Sequence, residues 1–373
     1  MDFDPKAHGI KGKLVSRNGR YTQFALVAAK QALEDAKLDM EKVDKARFGC
    51  IVGSGIGGVE WFEDNCNAFT KAGGNLPGLR AIDVFLIPAL IANTASGMIA
   101  IEHGCQGPNY CVTTACATGA HSIGSALKHL RDGDADIMFA GGSEAAITPL
   151  CYAGFCALTA MTTKYSDDPE KASRPFDKNR SGFVMGEGCG VVLLETEEHA
   201  LARGAKIYCE LAGAASNCDA YHITAPAPDG KGLKVCMESA LKDADVLPSE
   251  VGYLNAHGTS TQLNDKTETQ AIKSVFGDHA YKMKVSSIKS MIGHSLGAAG
   301  GIEAAICAKI FEKGVIPPTM NCDEPDIDAG CDLDYVPNKA FSYEPDSIPE
   351  AIMSDNLGFG GHNAALVFRK YRR

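Results

Sequence analysis

The run Val112-Thr113-Thr114-Ala115-Cys116-Ala117-Thr118-Gly119 changes character in its middle. β-Branched residues give way to small ones, the pattern of a strand breaking at a tight elbow into a helix. A thiol at such an elbow meets the positive end of a helix dipole and nearby backbone N–H donors. Both favour the thiolate, which is the nucleophile. Taken alone, Cys116 reads as a small buried core residue, as most cysteines are. Its company argues otherwise. His257 lies in His257-Gly258-Thr259-Ser260-Thr261 and His294 in Gly293-His294-Ser295-Leu296-Gly297-Ala298-Ala299-Gly300, both at predicted strand ends. One cysteine and two histidines, each at the mouth of a separate strand, form a constellation for acyl-thioester chemistry.

Working outward, strands alternate with helices. Apolar residues at helical spacing predict a helix over Tyr21 to Lys37, and Arg47 to Val52 reads as a short strand ending in a glycine-rich loop. Pro108 to Thr114 is the strand before the elbow, Gly119 to Arg131 the helix after it, and Ile137 to Ala140 a strand ending at Gly141-Gly142. Pro175 to Glu187 reads as an ordered loop, followed by the strand Gly190 to Leu194. A second series then begins, with helices over Lys231 to Ala244, Lys266 to Phe276 and Gly297 to Phe311. Its strands are Val251 to Asn255, Met283 to Ser286, Ala351 to Asp355 and Ala364 to Phe368. The two series echo each other, with Gly141-Gly142 and Gly360-Gly361 expected in matching places. Such layering predicts an α/β fold, and a duplicated unit predicts a five-layered αβαβα sandwich with the site between the halves. The halves are expected at residues 1–205 and 206–373.

Composition narrows the function classes. The 373 residues are 45% hydrophobic and 22% charged, ordinary for a globular enzyme. A formal net charge of −10 argues against nucleic acid and an anionic membrane surface as partners. The apolar segment Ala81 to Ala100 is interrupted by Asp83, Pro88, Asn93 and Gly97, so it reads as a buried loop and helix rather than a membrane span. The 14 cysteines contain no Cys-x-x-Cys pair, so no zinc or other metal site is expected and the thiols are read as reduced. The N-terminal residues resemble neither a signal nor a transit peptide.

These motifs, in order, resemble the β-ketoacyl-acyl-carrier-protein synthase family in its elongating, synthase I and II branch. Besides the elbow, the resemblance rests on Arg174-Pro175-Phe176-Asp177, Gly182-Phe183-Val184-Met185-Gly186-Glu187-Gly188 and Asn217-Cys218-Asp219-Ala220-Tyr221-His222. It continues through Asn255-Ala256-His257-Gly258-Thr259-Ser260-Thr261, Lys289-Ser290-Met291-Ile292-Gly293-His294 and Gly358-Phe359-Gly360-Gly361-His362-Asn363. Several of these look plastid-like synthase I, whereas Cys116-Ala117-Thr118-Gly119 looks more like synthase II. The resemblance implies a thiolase-like fold and a plastid stroma, with bacterial cytoplasm or mitochondrial matrix as alternatives. It starts downstream of the family's valine-rich first strand, so that strand is expected to be missing, with two buried ladders left unpaired.

The family implies transfer of an acyl chain from acyl carrier protein to Cys116, then decarboxylation of malonyl carrier protein and attack on the acyl group. Backbone N–H groups of Cys116 and Phe359 are the implied oxyanion hole, and the elbow is expected to lower the thiol pKa. His257 and His294 are expected to act as neutral imidazole donors to the developing enolate. By resemblance, Lys289 is expected to organise the site electrostatically and Glu303 to steady it through hydrogen bonds or a bound monovalent cation. No other cofactor is implied. Thr259 and Thr261 are placed on the pantetheine arm, and Phe359 is the implied gate. Plainer readings make Lys289 a surface lysine, Glu303 a helix-start acid and Phe359 core. Lys11, Lys13, Arg17, Arg20, Lys128 and Arg131 are candidates for docking the acidic carrier, or a solvated basic face. A homodimer is implied. Competing readings are an initiating synthase or thiolase, which pairs cysteine with histidine and asparagine, and a catalytically impaired or non-catalytic partner subunit.

Overall fold

Alanine and leucine at helical spacing give α1 (Arg20–Ala36) one apolar stripe, and Tyr21, Ala25, Leu26 and Ala29 on it are buried. That stripe packs on a three-stranded sheet of β1 (Phe48–Gly53), β2 (Ile137–Glu144) and β3 (Gly188–Glu195), in the order β1-β2-β3. The computed structural model describes residues 3–372. α2 (Thr118–Arg131) covers the opposite face of this sheet. The second sheet has the order β4-β8-β7-β5-β6, from β4 (Glu210–Cys218), β5 (Val251–Asn255), β6 (Lys284–Ser286), β7 (Ala351–Gly358) and β8 (His362–Arg369). α3 (Lys231–Ala244) and α4 (Gln262–Phe276) pack together outside it, while α5 (Ala299–Lys313) lies beside α2 between the sheets. The result is the five-layered αβαβα sandwich, with one apolar cluster on each outer side and one filling the middle.

The halves repeat at the level of hydrogen bonding. β1 pairs with β2 in parallel and β2 with β3 antiparallel; β5 pairs with β7 in parallel and β7 with β8 antiparallel. Both middle helices start from a one-turn 3₁₀ segment, Ala115–Ala117 and Leu296–Ala298, whose first residues have φ of +48° and +49°. Cys116 and Gly297 are thus equivalent positions. The helices meet through glycine: a Cβ on Gly119 would stand 2.5 Å from the Gly301 nitrogen, so only glycine allows this approach.

Several expectations are corrected. Pro108 to Thr114 forms no ladder strand. Cys50 donates to Pro108 O and Gly107 to Phe48 O, one parallel bridge forms at Asn109, and the segment then passes over Gly53 toward the elbow. Gly141-Gly142 lie inside β2 at the place that Asp355-Asn356 hold in β7, while Gly360-Gly361 turn the β7–β8 hairpin. The segment expected to be a buried loop is bare at Val84, 86% exposed, and Ile87, 61% exposed, and only the helix Thr94–His103 tucks against β1 and α1. Finally, two unpaired ladders were expected beside a missing strand. Among the described residues the outer edge of β3 is free, but its counterpart β8 is covered there by β4, which has no second neighbour.

Candidate active site

The elbow is held by its own backbone. Thr118 Oγ1 accepts from the Thr114 N–H at 2.8 Å, and the turn delivers Cys116 to the start of α2 with 7% of its surface exposed. Phe359, half-buried in the β7–β8 hairpin, comes over it. A Cβ on Gly358 would meet Thr114 O at 2.6 Å and the Cys116 nitrogen at 3.3 Å, so glycine is what lets the hairpin approach. Backbone N–H groups of both Phe359 and Cys116 face the sulfur.

Cys116, His257, His294, Phe359, Thr259 and Thr261 line one cavity of about 320 Å³. The His257 and His294 rings stand 5.2 Å apart at 88°. Both are almost fully buried, and burial first, then the Lys289 charge, holds each well below the usual histidine range. They are therefore neutral at pH 7. His294 Nδ1 accepts from the Leu296 N–H at 3.3 Å, so its ring proton sits on Nε2. Asn356 Nδ2 lies 3.5 Å from His257 Nδ1 and assigns the same tautomer there.

Lys289 is no surface lysine: it is 2% exposed and its ammonium donates to Glu303 Oε1. Glu303 is no helix-start acid either, since it lies inside α5, fully buried. Its other oxygen accepts from Asn356 Nδ2 at 2.6 Å, so of its two expected roles the hydrogen-bonding one has its partners in place.

The thiol itself departs from expectation. Burial pushes Cys116 up to about 12, with Lys289 pulling it down, Glu144 pushing it up, and the Phe359 and Cys116 N–H groups lowering it. An elbow of one 3₁₀ turn supplies less charge than the enclosure removes. Cys116 therefore rests as a thiol.

The docking candidates differ in exposure and in partners. Lys11, Lys13 and Arg17 are exposed near the N-terminus, while Arg20 is already engaged with Glu187 at 2.7 Å. Lys128 and Arg131 close α2 at the end opposite Cys116, about 20 Å away at 1.5 Å per residue, and Arg131 pairs with Asp243.

Other residues of the site escaped the sequence. Glu144, at the end of β2, accepts from Ser54 Oγ and from the N–H groups of Gly55, Ile56 and Gly297, tying the loop after β1 to the start of the second elbow. Asp265, Glu268 and Asp355 hold the His257 turn from beneath. Phe155, Leu158 and Phe183 supply the cavity's apolar wall. The only available signal was that Asp265 and Glu268 fall at helical spacing from the apolar Ala271, Ile272 and Phe276 of α4.

Comparison with known proteins places this geometry. The model of the "Beta-ketoacyl synthase, N-terminal domain" matches residues 1–200, and that of the "Beta-ketoacyl synthase, C-terminal domain" matches residues 208–323. A "3-oxoacyl-[acyl-carrier-protein] synthase 2" of Synechocystis sp. is 48% identical over 371 residues, covering 100% of this chain and 86% of the relative. One from Coxiella burnetii is 47% identical over 369 residues, covering 99% and 86%. Among solved structures, a complex of a type II polyketide synthase acyl-carrier protein with its ketosynthase matches with TM-score 0.91 and 39% identity, over 96% of this chain and 86% of that one. A β-ketoacyl synthase from Burkholderia phymatum matches with TM-score 0.87 and 32% identity, over 97% and 85%.

Proposed function

This chain belongs to the β-ketoacyl synthase family, and we propose that it elongates fatty acyl chains by decarboxylative condensation of a Cys116-bound acyl group with malonyl-acyl-carrier-protein. It is an acyltransferase. The observation that carries the mechanism is one cysteine sharing a cavity with two neutral, perpendicular imidazoles.

Acyl transfer comes first. The Cys116 sulfur attacks the thioester carbon, and the charge that develops on the carbonyl oxygen is received by the Cys116 and Phe359 N–H groups. The carrier leaves as a free thiol, carrying the proton that Cys116 gives up. Because Cys116 rests as a thiol, ionisation accompanies attack rather than preceding it. Malonyl carrier protein then binds, with Thr259 and Thr261 along its pantetheine arm; their hydroxyls lie 3.0 Å apart on the cavity wall. As carbon dioxide departs, negative charge grows on the malonyl thioester oxygen, and Nε2–H groups of His257 and His294 donate to it. The resulting enolate carbon bonds to the acyl carbon, the bond to the Cys116 sulfur breaks, and that sulfur regains a proton from solvent. Burial, joined by the Lys289 charge, keeps both rings unprotonated, and Glu303 holds Lys289 in place. Phe359 gates the cavity: flanking glycines, with Gly360 at φ +90°, leave its ring room to swing.

Two imidazoles, rather than one and an asparagine, favour elongation over the initiating reading. Nothing in the structure favours a non-catalytic subunit, since the nucleophile is in place. Lys11, Lys13 and Arg17 support carrier docking on the exposed N-terminal face. A homodimer is supported by two apolar side chains left bare on the segments that flank β1: Ile101, 74% exposed, and Tyr110, 40% exposed. All 14 thiols are unpaired, which fits a reducing compartment such as a plastid stroma or bacterial cytoplasm. The test is incubation with acyl and malonyl carrier proteins, read by mass spectrometry. A 3-oxoacyl product two carbons longer supports the reading, and unchanged substrates refute it.

A further inference from the structure

The turn His257-Gly258-Thr259 presents three consecutive backbone N–H groups, and each donates to a different buried carboxylate. His257 donates to Asp355 Oδ1 at 3.0 Å, Gly258 to Glu268 Oε2 at 2.8 Å and Thr259 to Asp265 Oδ1 at 3.1 Å. All three carboxylates are 0% exposed. Asp265 has a counter-ion, the Arg180 guanidinium at 3.6 Å. Among the described residues no ion pair reaches Glu268 or Asp355. The charged and titratable groups facing that pair are Asp265, Glu303, Lys289, His257 and the Cys236 thiol.

The two side chains come from α4 and β7 and accept from adjacent N–H groups of one turn, those of Gly258 and His257. Yet Glu268 Oε1 and Asp355 Oδ2 are each buried with no donor. Two anions so placed repel, whereas an acid and a carboxylate form one strong hydrogen bond that satisfies both spare oxygens. We propose that Glu268 and Asp355 share a single proton, and that this pair is a positioning device that sets the His257 turn for malonyl decarboxylation. The assignment rests on the condensing function given above. Burial, first of all, pushes Asp355 up to about 7 and Glu268 well above the carboxylate range, which agrees with one proton retained at neutral pH.

A shared proton has a signature that simple space-filling lacks. In Asp355→Asn, the amide oxygen accepts from His257 and the NH₂ replaces the shared proton. In Glu268→Gln, the amide oxygen accepts from Gly258 and the NH₂ faces Asp355. Each single amide therefore keeps the network. With both amides present, two NH₂ groups confront each other. The test is a double-mutant cycle on the purified chain, reading carbon dioxide release from malonyl carrier protein and, separately, urea-induced unfolding. Each single amide variant should keep release within about threefold, while Asp355→Ala and the double amide variant should lose about tenfold to a hundredfold, the range set by one unsatisfied buried group. In Asp355→Asn, the decline of release on the alkaline side, where the pair sheds its proton, should vanish. Single amides as damaging as alanine, or a double variant equal to the product of the singles, would overturn the proposal. If the double variant does not fold, the single variants and the alkaline limb still decide it. If the parent chain releases no carbon dioxide, the condensing function fails instead, and non-additive unfolding still reports on the pair.

Discussion

Gly358→Ala adds one methyl group where the β7–β8 hairpin crosses the nucleophile elbow. That carbon would stand 2.6 Å from Thr114 O, and ordinary contact begins at 3.4 Å, so hairpin and elbow must part by about 0.8 Å. The displaced group is the Phe359 N–H, one of two donors to the acyl oxyanion. Removing one such donor lowers turnover by about 10²–10³-fold, and misplacement by about 1 Å costs roughly 10²-fold. We therefore expect Cys116 acylation to slow by about 10²-fold, since the donor is shifted rather than deleted. Gly358 does not have positive φ, so backbone strain contributes nothing and the effect is steric. The assay is rapid-quench acylation from acyl carrier protein, with the acyl group located by peptide mass spectrometry. Thermal unfolding serves as a control. Acylation at the parent rate, with the fold intact, would refute the oxyanion geometry.

Other outcomes follow from the buried charges and rings. Lys289→Met strands the Glu303 carboxylate without its cation and should destabilise the chain by about 3–5 kcal/mol in urea titrations, with Glu303→Gln in the same chain restoring part of it. His257 and His294 have folded pKa values below their unfolded ones, so their stabilising contribution is full above about pH 6.5 and lost as pH falls. Together they should contribute a decline of about 2.7 kcal/mol per pH unit below that point, and His294→Ala should halve it. Charge reversal at Lys11, Lys13 and Arg17 should raise KM for carrier protein and weaken its salt dependence. Reversal at Lys128, at the far end of α2, should leave KM unchanged; the opposite pattern would move docking to that end.

The sandwich was legible because β-branched runs alternate with amphipathic helices, and the elbow because small residues interrupt one of those runs. β4 was not, since Glu210-Leu-Ala-Gly-Ala-Ala-Ser-Asn-Cys218 carries no β-branched residue and is a strand only by pairing with β8. The reverse error befell Pro108 to Thr114, whose β propensity is real but whose path is set by the elbow it feeds. Cys116, His257 and His294 stood out through their settings. The acids beneath them did not. Asp265, Glu268 and Asp355 become a cluster only when α4 and β7 meet the turn after β5. Helix-dipole reasoning also misjudged the thiol, because the depth at which Cys116 lies is a tertiary property.

The division of labour between sulfur and rings is tested most directly by separating the half-reactions in His257→Ala and His294→Ala. Peptide mapping after exposure to acyl carrier protein should find the acyl group on Cys116 in both, while carbon dioxide release from malonyl carrier protein is lost. An acyl group on any of the other thirteen cysteines, or decarboxylation at the parent rate without either imidazole, would contradict the account.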